Sequence, residues 1–304
     1  MYRYSSNTRE RLFDILQKLQ ERIWIPHQVA YEIHKNRLTV ISDQSVAYKE
    51  IQTILDKNLA IGTLKDELFK NYKRHPFIDV KQIIEDIEGI INKVKDDLQA
   101  TKQAHPDFLE NDELWKQLIA IIDGKVSQAY SKDKLKEIYK NSEQRFKDLI
   151  PPGYKDDDRK KGDDKYGDVV LWLQLIDYAK SQKKPIIFVT DDDKEDWWLK
   201  HGGKTISPRP ELVQEMLTEA GVRFYMYPSH RFLEEAQKFL TLPEQPEVIE
   251  EAREIREQKK YIDYLSAYSS AIENSLINSE MTEAIANMTK LQDRLINLDI
   301  NQFS

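Results

Sequence analysis

Apolar residues recur every three or four positions through the stretch 28–150, a spacing typical of helices that bury one face. Prolines in His75-Pro76 and His105-Pro106 divide the stretch. We therefore predict a helical arm or bundle there. Its clearest apolar stripe consists of Ile83, Ile84, Ile87, Ile90, Ile91, Val94 and Leu98.

The stretch 168–227 has a different pattern. Residues 168–179 are apolar on nearly every face, which indicates a buried helix. The continuous apolar run over 185–190 predicts a fully buried parallel strand. A helix over 211–220 and a second strand over 222–227 complete a βαβ unit, so this pattern predicts an α/β fold.

Both ends of the chain are predicted to be mainly helical. A helix over 8–20 is followed by a short strand over 22–25, and Pro26 suits the first turn of the next helix. Near the other end, apolar spacing predicts an amphipathic helix that docks on its own domain, on a second copy of the chain or on a partner protein. Its apolar residues are Met281, Ile285, Met288, Leu291, Leu295 and Leu298.

Residues 151–168 form a charged segment, with eleven charged residues among eighteen and no aliphatic residue. We predict a solvated, mobile loop. Its basic residues could bind the phosphate backbone of a nucleic acid next to Asp168. Alternatively, the loop is a linker whose charges nearly cancel. The basic residues are Lys155, Arg159, Lys160, Lys161 and Lys165.

The composition excludes several classes of protein. The chain has 46 basic and 53 acidic residues, and its formal charge of −7 argues against binding nucleic acid by bulk positive charge. The absence of cysteine excludes disulfides, thiolate zinc sites and cysteine nucleophiles. No signal-peptide pattern is visible at the start, and no apolar run approaches the roughly 20 residues that span a bilayer. We expect a soluble cytoplasmic protein.

Acidic residues occur where a sheet-based active site would place them. Asp191 and Asp192 directly follow the strand predicted at 185–190, and open α/β sheets bind ligands at the carboxyl ends of their strands. Asp168 precedes the buried helix, and Glu32 lies on a helix between apolar neighbours. Converging carboxylates, without cysteine or clustered histidine, favour Mg²⁺ or Mn²⁺.

Each of these acids also has a purely structural explanation. Asp168 is suited to capping the helix that follows it. Aspartate is common in turns such as the one that follows residue 190. Glu32 could pair with Lys35 or Arg37 on the protein surface.

Four strings carry a family resemblance, and they run over Trp24–Arg37, Pro151–Trp172, Ile186–Trp198 and Gly202–Glu211. In this order they resemble the PIN-like domains of the PIN_8 (DUF4935) group. The resemblance implies an α/β fold, with a mostly parallel sheet flanked by helices. It also implies a PIN-like domain at 1–240 with a helical insertion at about 40–150, and a C-terminal helical extension at 241–304.

Active members of that group are metal-dependent nucleases, and the resemblance implies that four acids here bind the metal and take part in catalysis. Glu32 matches the acid of the Val-Ala-x-Glu string, and Asp168 matches that of Tyr-Gly-Asp. Asp191 and Asp192 match the acids after the strand. The family's first strand, which supplies a leading aspartate, would lie before Tyr2. The chain is therefore expected to lack one ligand and one strand.

The resemblance thus predicts an endoribonuclease-like enzyme that hydrolyses phosphodiesters with Mg²⁺ or Mn²⁺. Its substrate would be RNA rather than DNA, and a toxin or defence effector is one role for such an enzyme. Because the leading aspartate is missing, the alternative is a catalytically inactive PIN-like module that binds nucleic acid or protein. A third interpretation, from composition alone, is a helical scaffold that binds a partner.

Overall fold

The structure is a computed structural model that describes residues 1–157, 160 and 162–262. Helix α1 (Ser6–Lys18) begins where the Ser5 side chain accepts a hydrogen bond from the Thr8 N–H. Helix α2 begins directly after Pro26, in agreement with the sequence. The helices of this part are α2 (His27–Asn58), α3 (Gly62–Tyr72), α4 (Val80–Ala104), α5 (Glu113–Ile122) and α6 (Lys132–Lys147).

The second part of the chain alternates helices and strands. Its elements are α7 (Gly167–Gln182), β1 (Ile186–Val189), β2 (Trp198–His201), β3 (Lys204–Pro208), α8 (Pro210–Ala220), β4 (Phe224–Tyr227), α9 (Ser229–Phe239) and a helix α10 over 246–262. Strands β1 and β4 pair in parallel, with Ile186 opposite Phe224. Strands β2 and β3, which follow β1 and precede α8 in the chain, form an antiparallel hairpin.

The α/β fold and the crossover from β1 through α8 to β4 are confirmed. Helices α7 and α8 pack together with the parallel pair, and the largest buried cluster lies among these elements. Trp172, Leu212 and Met216 in this cluster are completely buried. The near-continuous apolar character of α7 follows from its position inside this core.

The prediction that β1 is fully buried is wrong. The Ile187 side chain is 55% exposed and that of Val189 is 38% exposed, whereas Ile186 is buried. Successive side chains of a strand point to opposite faces, and only one face of β1 contacts the α7–α8 core. Within the described residues, β4 is the only strand that pairs with β1.

The strand predicted at 22–25 is also absent from the described residues. Residues 20–22 form a 3₁₀ turn, and Ile25 makes a single parallel bridge to Val126. The Ile25 N–H donates to Lys125 O, and the Ser127 N–H donates to Ile25 O. One bridge fixes the start of α2 but does not extend into a ladder.

The two ends of the charged segment 151–168 are packed, whereas Asp157, Lys160 and residues 162–164 between them are exposed. Pro151 and Asp156 are buried, and two 3₁₀ turns shape the described part of the segment. Tyr166 is 5% exposed because its ring stacks on those of Tyr139 and Phe146. Packing and polar contacts therefore order the ends of a segment whose composition is typical of a loop.

The helical prediction for residues 28–150 is confirmed by α2 to α6. We use the name helical arm for the part of α2 beyond Ile41 together with α3 and α4. The amphipathic helix predicted over 281–298 lies outside the described residues. Within the described part of the chain, no helix has the length and apolar character needed to cross a membrane.

Candidate active site

Asp168 lies in the first turn of α7 with its carboxylate directed at β1–β2 loop residues. Its Oδ2 atom accepts hydrogen bonds from Lys194 Nζ at 2.8 Å and from Trp197 Nε1 at 3.2 Å. Tyr166 occupies the N-cap position of α7, and no side chain caps that helix. The capping explanation for Asp168 is therefore wrong.

The Lys194 ammonium lies at the centre of three carboxylates. Its Nζ atom is 2.8 Å from Asp168 Oδ2, 2.9 Å from Asp156 Oδ1 and 3.0 Å from Asp192 Oδ2. Burial alone would lower the pKa of Lys194, but Asp168, Asp192 and Asp156 outweigh it and raise that pKa. The three carboxylates therefore favour the charged form of the side chain. We call Asp156, Asp168 and Asp192, together with Lys194, the acid cluster.

Asp192 joins the acid cluster from the turn that follows β1. Its N–H donates to Thr190 Oγ1 at 3.1 Å, and its Oδ1 atom accepts the Lys194 N–H at 3.0 Å. Asp192 therefore shapes the turn with one oxygen and contacts the Lys194 ammonium with the other. The turn explanation is therefore correct for Asp192, and its role in binding a metal stays a prediction.

Asp191 points to the other side of the strand end. Its Oδ1 atom accepts the Ser229 N–H at 2.9 Å, at the start of α9, and lies 3.7 Å from Arg256 Nε. The two adjacent aspartates therefore reach partners in different parts of the structure. The structure brings Asp192 to Asp168, but it does not bring Asp191 there.

Glu32 approaches the start of α7 from α2. Its Oε1 atom accepts a hydrogen bond from Gln28 Nε2 at 2.8 Å, and a Cβ added to Gly167 would lie 3.1 Å from that oxygen. Glycine at position 167 therefore lets the carboxylate pack beside Asp168. Burial raises the pKa of Glu32, and the negative charge of Asp168 raises it further against the opposing effect of Gln28.

The surface ion pair considered for Glu32 is absent from the described residues. Lys35 Nζ binds Asp164 at 2.6 Å, and Arg37 binds Asp112. Both candidate partners are thus engaged elsewhere, and Glu32 is left facing α7. The Glu32 carboxylate is therefore not held by either of these basic side chains.

Three polar residues of this region were not identified from the sequence. Asp156 and Lys194 belong to the acid cluster, and Asp196 supports it. The fully buried Asp196 accepts the N–H groups of Gly153 and Lys155 at 2.9 and 3.1 Å. Sequence position could have identified two of them, because Lys194 and Asp196 lie near the end of the family string Ile186–Trp198.

The described basic residues of 151–168 are all paired with acids. Lys155 binds Glu195 at 2.5 Å, Lys160 binds Asp156 at 2.5 Å and Lys165 binds Asp157 at 2.7 Å. Arg159 and Lys161 lie outside the described residues. The observed pairs agree with a segment whose charges largely cancel, and a role in binding nucleic acid stays a prediction.

The acid cluster has the ligand atoms that a hard divalent cation prefers, but its side chains are not arranged around a metal ion. Its carboxylate oxygens are the ligands that Mg²⁺ and Mn²⁺ prefer. Lys194 shows that they accept a positive charge at their centre. However, the described residues contain no group of three acids or histidines spaced to hold a metal ion. A metal ion would need Lys194 to move aside.

Comparison with known proteins identifies the family. A family model described as a PIN like domain matches residues 1–212, which include Glu32 and the whole acid cluster. Neither the curated proteins nor the solved structures compared with the chain include a match to it. PIN-like domains are generally nucleases, typically use divalent metal ions and often bind nucleic acids. The match covers more than two thirds of the sequence, and the chain belongs to the PIN-like domain family.

Proposed function

We propose that the chain hydrolyses phosphodiester bonds of single-stranded nucleic acid at the acid cluster, with a divalent metal ion. One observation carries the proposal. The carboxylates of Asp156 and Asp168, from the segment that leads into α7, and of Asp192, from the turn after β1, surround one partly buried position for a cation. Glu32 lies against Gly167, next to Asp168. Such crowding of negative charge is unfavourable unless a cation compensates it.

Asp168, Asp192 and Glu32 are the residues proposed to hold Mg²⁺ or Mn²⁺. A bound metal ion would activate water and stabilise negative charge on the phosphoryl oxygens. The chain itself fixes the carboxylates in place. Trp197 Nε1 orients Asp168, the turn at Thr190 orients Asp192, and Gln28 orients Glu32. We propose RNA as the first substrate to examine, in an enzyme of the toxin or defence-effector type.

A catalytically inactive binding module is the second candidate, and one observation favours it. Lys194 already compensates the three carboxylates at hydrogen-bonding distance. The acid cluster is therefore electrostatically satisfied without a metal ion. If Lys194 keeps this position permanently, the same geometry stabilises the fold and performs no catalysis.

The test of catalysis compares Asp168→Asn with Asp164→Asn. Asp164 is a nearby acid of the same segment, is 55% exposed and pairs only with Lys35 among the described residues. We expect Asp168→Asn to slow Mn²⁺-dependent cleavage of single-stranded RNA at least ~100-fold, as when a group that stabilises transition-state charge is removed. Asp164→Asn should cleave normally. Equal rates for Asp168→Asn and the unaltered chain would rule out this site.

The two candidates are separated by Lys194→Met, with Lys200→Met as control. Lys200 is 35% exposed and lies 3.5 Å from Asp193. Asp156 keeps its pair with Lys160, but removing the partly buried Lys194 ammonium leaves Asp168 and Asp192 without their cation. This loss should cost about 3 kcal/mol of folding free energy in EDTA, at the lower end for a buried pair because the side chains are not fully buried. In a metal site, Mn²⁺ should restore the thermal midpoint of Lys194→Met. A midpoint that stays low at every Mn²⁺ concentration would favour the inactive module.

A further inference from the structure

A second polar site lies on the Asp191 side of the strand end. A groove of about 870 Å³ runs between the β2–β3 hairpin, α8 and β4, and it reaches the start of α9. Apolar side chains line much of it, and several of these are exposed. Examples are Ile206 at 59%, Leu217 at 57% and Tyr225 at 39%. We call this feature the β4 groove.

Arg256 from α10 lines one end of the β4 groove and has unused hydrogen-bond donors. The residue is 6% exposed, and its Nε and Nη2 atoms have no hydrogen-bond partner among the described residues. Its nearest acids are too distant for hydrogen bonds, with Asp191 Oδ1 at 3.7 Å from Nε and Glu257 Oε1 at 3.9 Å from Nη1. Buried charged donors without partners are costly, so they are typical of a ligand site.

The start of α9 adds further donors at the same end. This helix is eleven residues long, and the N–H groups of its first turn have no acceptors within the helix. Asp191 accepts only that of Ser229. The side chains of His230 and Arg231 also line the groove, and the buried His230 Nδ1 has no partner in the described part of the chain. A helix N-terminus with nearby guanidinium groups favours an anion.

We propose that the β4 groove binds a phosphate group of a nucleic-acid strand at Arg256, Arg231 and the start of α9. The identification of the strand rests on the proposed function, whereas the anion site rests on the unused donors of Arg256. Arginine presents a planar set of donors that matches phosphate oxygens. Most of the groove lining lies beyond residue 212 and so outside the family match.

The position of the β4 groove links it to the acid cluster. Asp191 contacts the groove end, and its neighbour Asp192 contacts the acid cluster, so the two sites flank one strand terminus. Trp198 lines the groove while its Nε1 donates to Asp192 O at 2.6 Å. The apolar and aromatic lining can stack bases, which suits single-stranded nucleic acid. A strand held in the groove would therefore reach the acid cluster around the end of β1.

The experiment measures binding of a fluorescent single-stranded RNA in EDTA, so that no cleavage occurs. We expect Arg256→Gln to weaken binding at least about tenfold, as for loss of a charge-assisted hydrogen bond. Arg231→Gln should weaken it less, because that side chain is 54% exposed. The control is Arg253→Gln, one turn away on α10, where the side chain pairs with Glu250. This control should bind as the unaltered chain does.

Two results with the variants would overturn the inference. One is unchanged RNA binding by both Arg256→Gln and Arg231→Gln, and the other is equal weakening by Arg253→Gln. Thermal melts show whether Arg256→Gln folds. If it does not, Arg231→Gln decides, together with competition by inorganic phosphate. Inorganic phosphate that binds without displacing RNA would also contradict a strand site. Because binding is measured without metal, these results are independent of the Asp168→Asn cleavage test.

Discussion

The α/β core and the helical arm have the same kind of apolar periodicity but very different burial. In the core, Trp172 and Leu212 are fully buried. In the helical arm, Ile54 is 59% exposed, Ile90 is 66% exposed and Phe77 is 92% exposed. The comparison shows that apolar spacing identifies a helix and its apolar face, but does not reveal how much of that face is covered.

The difference follows from the number of packed layers. In the core, α7 and α8 cover one face of the β1–β4 pair, so apolar side chains meet from several directions. In the helical arm, α4 packs against α2 and α3, and within the described residues its buried apolar residues are Val80 and Ile84. Most of the arm's apolar surface therefore contributes little to folding.

The largest expected effect is that of Trp172→Ala in the core. Trp172 is fully buried, its ring contacts those of Trp197 and Phe224, and its Nε1 donates to Glu215. Truncation should lower the free energy of unfolding by about 3–5 kcal/mol. Urea unfolding measures this, with Phe77→Ala as a control that should change stability by less than about 0.5 kcal/mol. Similar losses of stability in Trp172→Ala and Phe77→Ala would contradict the difference between the core and the helical arm.

A sharper comparison lies within α4 of the helical arm. Ile84 is 2% exposed and Ile90 is 66% exposed, so the same substitution to alanine tests burial alone. We expect Ile84→Ala to cost about 2–3 kcal/mol, at the lower end for such sites, because a small cluster relaxes around the cavity. Ile90→Ala should cost less than about 0.5 kcal/mol. Hydrogen exchange would show whether the Ile84→Ala effect stays within the arm.

The smallest effect is expected when the arm is shortened. Tyr48 Oη and His105 Nδ1 are 3.2 Å apart, so the chain leaves and re-enters the arm at neighbouring points. Replacing 49–104 by a short Gly/Ser linker should leave RNA cleavage within about twofold, since long loops close at little entropic cost. The measurement is the rate of Mn²⁺-dependent cleavage of single-stranded RNA. A loss of cleavage in a folded variant would show that the arm takes part in function.

Much of the fold was predictable because its signals are local. The helices from α2 to α6, the strand pair β1–β4 and the crossover helix α8 all follow from apolar spacing and proline positions. The exposure of β1 and the burial at the two ends of 151–168 were not predictable. Both depend on which distant segments pack there, such as Asp196 against Gly153.

Part of the candidate site was predictable too. The family strings indicated Glu32, Asp168 and the two aspartates after β1. The structure places Asp168 and Asp192 on the same lysine and Glu32 against Gly167. Nothing in the sequence separated Asp191 from Asp192, because the two have the same chemistry and adjacent positions. Their side chains diverge only once the backbone direction is set.

The sequence by itself determined the helical periodicity, the family and three acids of the candidate site, namely Glu32, Asp168 and Asp192. Only the tertiary structure decided that Lys194 is the cation among the carboxylates. It also decided that Arg256 lines a groove and has donors without partners among the described residues. The physical reason is range. Helix propensity acts over a few residues, whereas a buried charge is defined by partners far away in the chain, such as Arg256 beside Asp191.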